Sequence, residues 1–334
     1  MLGSCAQPLV DAYDLAMFDL DGVVYIGEDA VPGAPAHLAR ARELGVHLAF
    51  ITNNASRPPE AVVEKLAGVG VEASVADVVT SAQAAARVLS ERYGADALVA
   101  VLGAAGLEEA LRAEGLEPVA VSDERAVALV TGYGPDVVWR DVMRAAVRVR
   151  DGLPWVASNA DLSLPTPFGQ APGHGVMVEL LERFSGVRAV VAGKPQRPLL
   201  DETVRRVGGE HPLMIGDRLD TDIEGAHEAE VDSLLVLTGV TGLVDLAAAG
   251  PRLRPTYLSA DLAGLFEAHT APEQDGDGWT SGGWRATVAD GRLEVSGDGD
   301  PDDWWRAVAS AAWDHLDRGG EPADVTGLAA PDTE

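Results

Sequence analysis

Short apolar runs recur along the chain and alternate with longer segments of helical spacing. The runs are "LAMF" (15–18), "VHLAFI" (46–51), "ALVAVL" (97–102), "AVALV" (126–130), "VRAVVA" (187–192), "PLMIG" (212–216) and "DSLLVL" (232–237). Between them, Ala, Leu, Arg and Glu recur at helical intervals over 34–44, 82–93, 137–150 and 174–184. Strands alternating with helices predict an α/β fold of Rossmann-like parallel sheets with helices on their faces. Ligands of such sheets bind beyond the carboxyl ends of the strands. Polar residues cluster at those ends: Asp19 after "LAMF", Thr52-Asn53-Asn54 after "LAFI", Gly193-Lys194 after "AVVA" and Gly216-Asp217 after "PLMI".

The segment 82–187 has its own strand–helix alternation but little strand-end chemistry, so it reads as an α/β domain inserted between core segments 1–81 and 188–270. Beyond 270 the composition shifts to "APEQDGDGWTSGG", a linker signal opening a small αβ tail over 271–334. "WRATVADGRLEVSG" predicts a hairpin turning at Asp290-Gly291. "DPDDWWRAVASAAWDHL" predicts a helix with Pro301 near its start, acids in its first turn, and Trp305, Ala309 and Trp313 on one face. The acidic run "DGDGDPDD" reads as a solvated turn plus helix cap in preference to a calcium site.

At 334 residues the chain accommodates more than one core. No apolar run approaches membrane-spanning length, and the first residues lack the basic start and apolar stretch of a signal peptide. Cys5 is the sole cysteine, which excludes an internal disulfide and a thiolate metal cluster; a cytoplasmic setting is the default expectation. The formal charge of −28 repels nucleic acid and anionic membranes, so neither is an expected partner. An anionic substrate would need a local cation to overcome that field. Basic residues are nearly all arginine. The lysines are Lys65 and Lys194, and Lys194, between glycine and proline after an apolar run, is oddly placed for a solubilising charge.

Side chains alternate along a strand, so an extended "DLD" points Asp19 and Asp21 the same way. Two close carboxylates repel, and a cation or shared proton relieves them. Gly22 lets the chain turn without crowding. Three readings compete: a solvated turn, a calcium loop, and a catalytic pair. The calcium loop requires further oxygen ligands and a late Glu, where "VVYIG" follows instead. Thr52, Asn53 and Asn54 offer a hydroxyl and backbone N–H groups to phosphate oxygens, or an Asx or Thr turn capping a helix. Lys194 offers a point charge for phosphate. In "GDRLDTDIEGA", Asp217 could complete a Mg²⁺ site with Asp19, Asp222 could orient a neighbour such as Lys194, and Asp220 reads as a helix-capping acid.

"DLDG", "ITNN", "GKP" and "GDRLDTDI", in that order, resemble the four motifs of the haloacid dehalogenase (HAD) superfamily of phosphatases over about residues 14–268. The long insertion, with "TSAQAAARVL", "TGYGPDVVWRDVMRA" and "ASNADLSLP", resembles the large α/β cap of the NagD-like and nitrophenyl phosphatase branch. The resemblance implies a phosphoric monoester hydrolase with a Mg²⁺ cofactor. Asp19 would be the nucleophile that forms an aspartyl-phosphate, and Asp21 the general acid and base. Thr52, Asn53 and Lys194 would bind phosphate. Asp19, the Asp21 backbone carbonyl and Asp217 would hold the metal, with Asp222 and Gly22 in support. Substrate choice would lie with the cap, for which Asn54, Tyr133, Asn159, Asp161 and His174 are candidates. The phosphatase-plus-tail layout resembles glycerol 3-phosphate phosphatases of high-GC bacteria, whose tail is described as acetyltransferase-like. This makes glycerol 3-phosphate the expected substrate, ahead of pyridoxal 5′-phosphate, phosphoglycolate or nucleotides. The tail lacks the Gln/Arg-x-x-Gly-x-Gly/Ala loop that cradles acetyl-CoA, so no acyl transfer is expected. Relatives often pair through their caps, which implies a homodimer. The rival class is a non-catalytic sensor of a phosphorylated ligand, and the full set of catalytic groups argues against it.

Overall fold

The computed structural model of the protein describes residues 1–166 and 169–331. The chain forms two compact units: Met1–Ala49 with Val69–Val71 and the chain from Gly208 onward, and Phe50–Gly68 with Glu72–Val207. Among the described residues, no helix is long and apolar enough to cross a membrane.

The first unit is built on a parallel sheet. Its strands run Tyr257–Ser259, Asp232–Val236, Pro212–Gly216, Leu15–Phe18 and then the start of His47–Thr52. The Leu15–Phe18 strand is buried at every position, as a strand covered on both faces must be, and this is why it reads as an unbroken apolar run. Phe18 pairs with Ile215, and the Asp19 amide donates to the Ile215 carbonyl (2.9 Å). Strands far apart in sequence therefore end side by side, with their acids emerging at the same edge.

The expected tail belongs to this unit. Glu273–Asp275, Gly278–Ser281, Trp284–Ala289 and Arg292–Gly297 form a sequential antiparallel sheet. The hairpin turns at Asp290-Gly291 with both φ angles positive (50° and 78°), which the twist of a two-residue turn demands. The helix Pro301–Gly319 starts at an Asp300 side-chain cap on the Asp302 amide and stops at left-handed Gly320. One face packs Trp304, Ala307, Val308 and Ala311 on Ala286 and Leu293 of the small sheet. The other places Ala309 and Trp313 among Leu2, Leu219, Ile223, Leu235, Leu246 and Leu258, with Trp305 against them. The solvated reading of the acidic run needs one correction. Asp302 is only 7% exposed and accepts from the Ser259 hydroxyl and the Ala260 amide, both at 2.6 Å, with Arg306 at 3.3 Å. The helix start is pinned to the end of the Tyr257–Ser259 strand, and that burial raises the Asp302 carboxyl above the usual range.

In the second unit, the end of His47–Thr52 pairs in parallel with Val78–Thr80. The helix Ser81–Tyr93 then opens on a capping box, in which Thr80 and Gln83 satisfy each other's amides. A five-stranded parallel sheet follows, in the order Val190–Val191, Trp155–Ala157, Ala128–Thr131, Leu98–Leu102, Glu117–Ala120. The helices Trp139–Arg150 and His174–Ser185 pack together, and their Val142, Ala146, Val149, Val178 and Leu181 join Leu129 and Trp155 in the core.

Candidate active site

In the first unit, Asp19, Asp217 and Asp222 each place a carboxylate oxygen within 4.8 Å of the others. Asp217 and Asp222 are fully buried and Asp19 is half-buried. Glycines make the cluster fit. A Cβ on Gly22 (φ +88°) would sit 2.6 Å from the Asp217 carboxyl carbon, and one on Gly239 would meet Asp217 as well. Gly216 faces Asp222 in the same way. The Asp217 carboxylate accepts from the Val240 amide (2.7 Å), and the Asp217 carbonyl from the Thr241 amide (3.1 Å). The Thr238 hydroxyl donates to the Gly22 carbonyl (2.6 Å). Asp222 lies at the end of a π-helical turn, Leu219–Ile223, and its carboxylate accepts from the Arg218 amide (3.1 Å).

Two expectations change here. The strand ends at Phe18, so strand alternation does not reach Asp21, which is exposed; the carboxylates that join Asp19 come from the Asp217–Asp222 loop. Asp222, expected as a support, also brings a carboxylate oxygen within 4.8 Å of the other two. Asp220 is exposed and pairs with Arg218 (2.8 Å). The cradling loop 238–242 escaped the sequence reading. Its signal is "TGVTG" after "DSLLVL", a fifth strand end.

Three carboxylates this close, two of them removed from water, demand a positive counter-charge. All-oxygen donors suit a hard divalent ion such as Mg²⁺. The donor set therefore fits the expected metal.

The second unit gathers the remaining candidates. Thr52 closes its strand, buried, and its hydroxyl oxygen accepts from the Asn54 amide (3.1 Å). The Asn53 side chain acts as a piece of strand. Its amide nitrogen donates to the Lys194 carbonyl (3.0 Å) and to Asp161 (3.0 Å), while its oxygen accepts from the Lys194 amide (2.8 Å). A Cβ on Gly193 would come 2.7 Å from the Ser158 carbonyl, so only glycine allows this approach. Lys194 itself is 2% exposed. The Asn53 carbonyl accepts from the Ser81 hydroxyl and the Asn159 amide group, both at 2.6 Å. Ser81 was not foreseen; a serine opening a helix reads as a capping residue.

Several expected substrate contacts prove to be supports. Asn54 is exposed, and its carboxamide oxygen accepts from the Ser56 amide (2.8 Å) and hydroxyl (2.7 Å), the Asx turn that was the alternative reading. Asn159 is buried and spends its side chain on Asn53 and on the Asp161 amide (3.2 Å). His174 is 4% exposed. Its Nδ1 donates to the Asn159 carbonyl (2.9 Å), which leaves Nε2 to accept from the Thr131 hydroxyl (3.1 Å). Burial holds its pKa down at about 4, so the ring is neutral. Both ring nitrogens are engaged within the protein, by the Asn159 carbonyl and the Thr131 hydroxyl. Asp161 and Tyr133 are half-buried.

Residues 16–117 match the model of the haloacid dehalogenase-like hydrolases, and residues 191–265 a second, HAD-hydrolase-like model. Over 321 residues the sequence is 39% identical to a D-glycerol 3-phosphate phosphatase of Mycobacterium tuberculosis, covering 92% of this chain and 88% of that protein. The chain belongs to the haloacid dehalogenase-like hydrolase family. A second member of the family, an acid sugar phosphatase of Staphylococcus aureus, is 33% identical over 252 residues, 75% of this chain and 95% of that one. Among solved HAD hydrolases, a glycerol phosphate phosphatase from M. tuberculosis in complex with magnesium superposes with a TM-score of 0.85 at 38% identity, covering 95% of this chain and 94% of its own. These findings bear out the expected superfamily and the Rossmann-like α/β class. Residues 281–331 match a GCN5-related N-acetyltransferase like domain, so the tail is a module distinct from the HAD models.

Proposed function

We propose that this HAD hydrolase is a Mg²⁺-dependent phosphatase that cleaves small phosphate monoesters through an aspartyl-phosphate on Asp19. The observation that carries the reading is the acidic cluster of half-buried Asp19 with buried Asp217 and Asp222. Asp19, Asp217 and the Asp21 backbone carbonyl are the ligands assigned to Mg²⁺, with Gly22 packed on Asp217 and Asp222 as a support that orients a neighbour such as Lys194. When bound, the ion neutralises charge on the phosphoryl oxygens. The Asp19 carboxylate attacks phosphorus as the bond to the leaving oxygen breaks. Asp21 protonates that oxygen, then takes a proton from the water that hydrolyses the acyl phosphate. Its exposure suits a group that must trade protons with solvent. The Thr52 hydroxyl, the Asn53 backbone N–H and the Lys194 ammonium serve the phosphate. The Asn53 side chain, engaged on Lys194 and Asp161, sets the lysine loop. Dividing the reaction into two displacements matters because phosphate monoester hydrolysis is among the slowest reactions known, with catalysed accelerations of up to ~10²¹-fold.

Glycerol 3-phosphate is the substrate we favour, because similarity to the M. tuberculosis enzyme extends over most of the chain. Steady-state kcat/KM over a panel of glycerol 3-phosphate, phosphoglycolate, pyridoxal 5′-phosphate and nucleotides tests it. We expect glycerol 3-phosphate to lead; another ester in first place overturns the substrate. Wild type that releases no more phosphate with Mg²⁺ than Asp19→Asn does, on every ester, overturns the phosphatase in favour of a phospho-ligand sensor. The enzyme is assigned to the cytoplasm and to a homodimer through the cap. The dimer is supported by exposed stripes at helical intervals: Trp139, Met143 and Val147 on one cap helix, and Val176, Leu180 and Phe184 on its neighbour.

A further inference from the structure

The HAD models end at residue 265 and the acetyltransferase-like model begins at 281, so nothing in the family chemistry gives the tail a task. Its long helix nevertheless enters the phosphatase core. Trp313 is fully buried, and with Ala309 it packs in one cluster with Leu219 and Ile223, the first and last residues of the π-helical turn that carries Asp222. The Trp313 indole N–H donates to the Leu246 carbonyl (2.7 Å). Leu246 lies on the helix Leu243–Ala247, which continues directly from the loop whose Val240 and Thr241 amides hold Asp217. One buried cluster thus holds both ends of the turn that carries Asp222, and its Trp313 is hydrogen-bonded to the helix that follows the loop over Asp217. The helix is anchored around that point: Arg254 stacks over the Trp313 ring (5.2 Å) and pairs with Asp317 (2.7 Å), and Asp302 caps the Tyr257–Ser259 strand end.

We infer that the helix Pro301–Gly319 is part of the scaffold that sets the metal affinity of the acidic cluster, with Trp313 and Ala309 as positioning residues for Asp217 and Asp222. The inference rests on the Mg²⁺ phosphatase reading. The Leu219–Ile223 turn runs into only a short helix, Glu224–Ala229. Its two apolar ends share a buried cluster with Trp313 and Ala309, and the loop over Asp217 is tied through Leu246 to the same indole. Changing that side chain loosens two acids at once while touching neither, and Mg²⁺, which tolerates little departure from its preferred geometry, is the ligand that registers the change.

The test uses the full-length protein and titrates Mg²⁺ alone into it by isothermal calorimetry. Trp313→Phe removes the indole donor and part of the packing, and Ala309→Val crowds the same cluster from the preceding turn of the same helix face. Val288→Ala serves as control, because Val288 packs only within the small-sheet cluster. The expected result is a Mg²⁺ Kd raised roughly threefold to tenfold in both test variants, below the ~10–100-fold typical of a direct outer-shell partner. The control should lose melting temperature yet keep its Kd within about twofold of wild type. Saturating Mg²⁺ should restore turnover in the test variants, which a merely structural role would not produce. If Trp313→Phe does not fold, Ala309→Val decides alone. Wild type that binds Mg²⁺ with variants of unchanged Kd overturns this inference and leaves the phosphatase standing. Wild type that binds no Mg²⁺ overturns both.

Discussion

Gly22 and Gly27 allow the steric demand of the acidic cluster to be separated from the backbone cost of a left-handed residue. Both have positive φ, +88° and +62°. A Cβ on Gly27 meets nothing within 4 Å, whereas one on Gly22 lies 2.6 Å from the Asp217 carboxyl carbon and 3.1 Å from its Oδ1. Alanine at either site therefore incurs the left-handed penalty of about 1–2 kcal/mol. Only Gly22→Ala must also push the Asp217 carboxylate aside, by roughly 1 Å to restore ordinary contact. A displacement of that size costs on the order of 10²-fold in rate, or about 2.7 kcal/mol of activation free energy. Urea midpoints measure the first term, and p-nitrophenyl phosphate turnover over a Mg²⁺ series measures the second. Gly27→Ala should lose stability and keep kcat/KM; Gly22→Ala should lose both and need more Mg²⁺. If the two variants lose equal stability and Gly22→Ala retains wild-type turnover, the close packing of Gly22 on Asp217 has no catalytic meaning.

Four further outcomes follow from the same geometry. Asp19→Asn should lower phosphate release by ~10³-fold or more, yet melt at or above wild type in EDTA, because it removes one of three repelling carboxylates; a lower melting point there would refute the repulsion. Burial depresses His174 to about 4 against an ordinary value near 6.5. The unfolded chain therefore takes up the proton first, and stability that is complete above pH 6.5 is lost as pH falls toward 4, by up to about 3 kcal/mol; His174→Gln should flatten that slope in urea melts at pH 7.5 and 5. Asp302→Ala leaves the Ser259 hydroxyl and the Ala260 amide without their acceptor, while Arg306 keeps Asp303 and the Leu258 carbonyl, and should cost about 2–4 kcal/mol by urea denaturation. Trp139→Glu combined with Phe184→Glu should give single-chain mass by light scattering where wild type gives twice that mass; wild type at single-chain mass removes the dimer.

Much of this was legible because buried parallel strands must be apolar end to end. "LAMF", "PLMIG" and "DSLLVL" therefore stand out in the chain, and the polar residue after each marks the sheet's working edge. Asp19 and Asp217 were recognisable for that reason, whereas Lys194, after the short and partly exposed strand Val190–Val191, stood out as one of two lysines and by its place between glycine and proline. What stayed hidden was the partner of each polar group. Asn53 has the composition of a phosphate loop, yet its carboxamide pairs with the Lys194 backbone. His174 sits in a glycine-flanked loop that suggests exposure, yet Gly173 and Gly175 are small because the chain at Ala160 and Asp161 lies against them. Asp302 belongs to a run that looks solvated until the strand end it caps is known. The Asn53 and Asp302 pairings join residues 42 to 141 positions apart, and local composition carries no record of them.

Because the helix Pro301–Gly319 contributes one face to the phosphatase core and the other to the small sheet, neither cluster can dissolve without exposing the second. The appended module and the catalytic sheet should thus melt in one cooperative step, and a protease cut in the connecting residues 268–272 should release no folded fragment. A module joined in this way is inherited whole or lost whole.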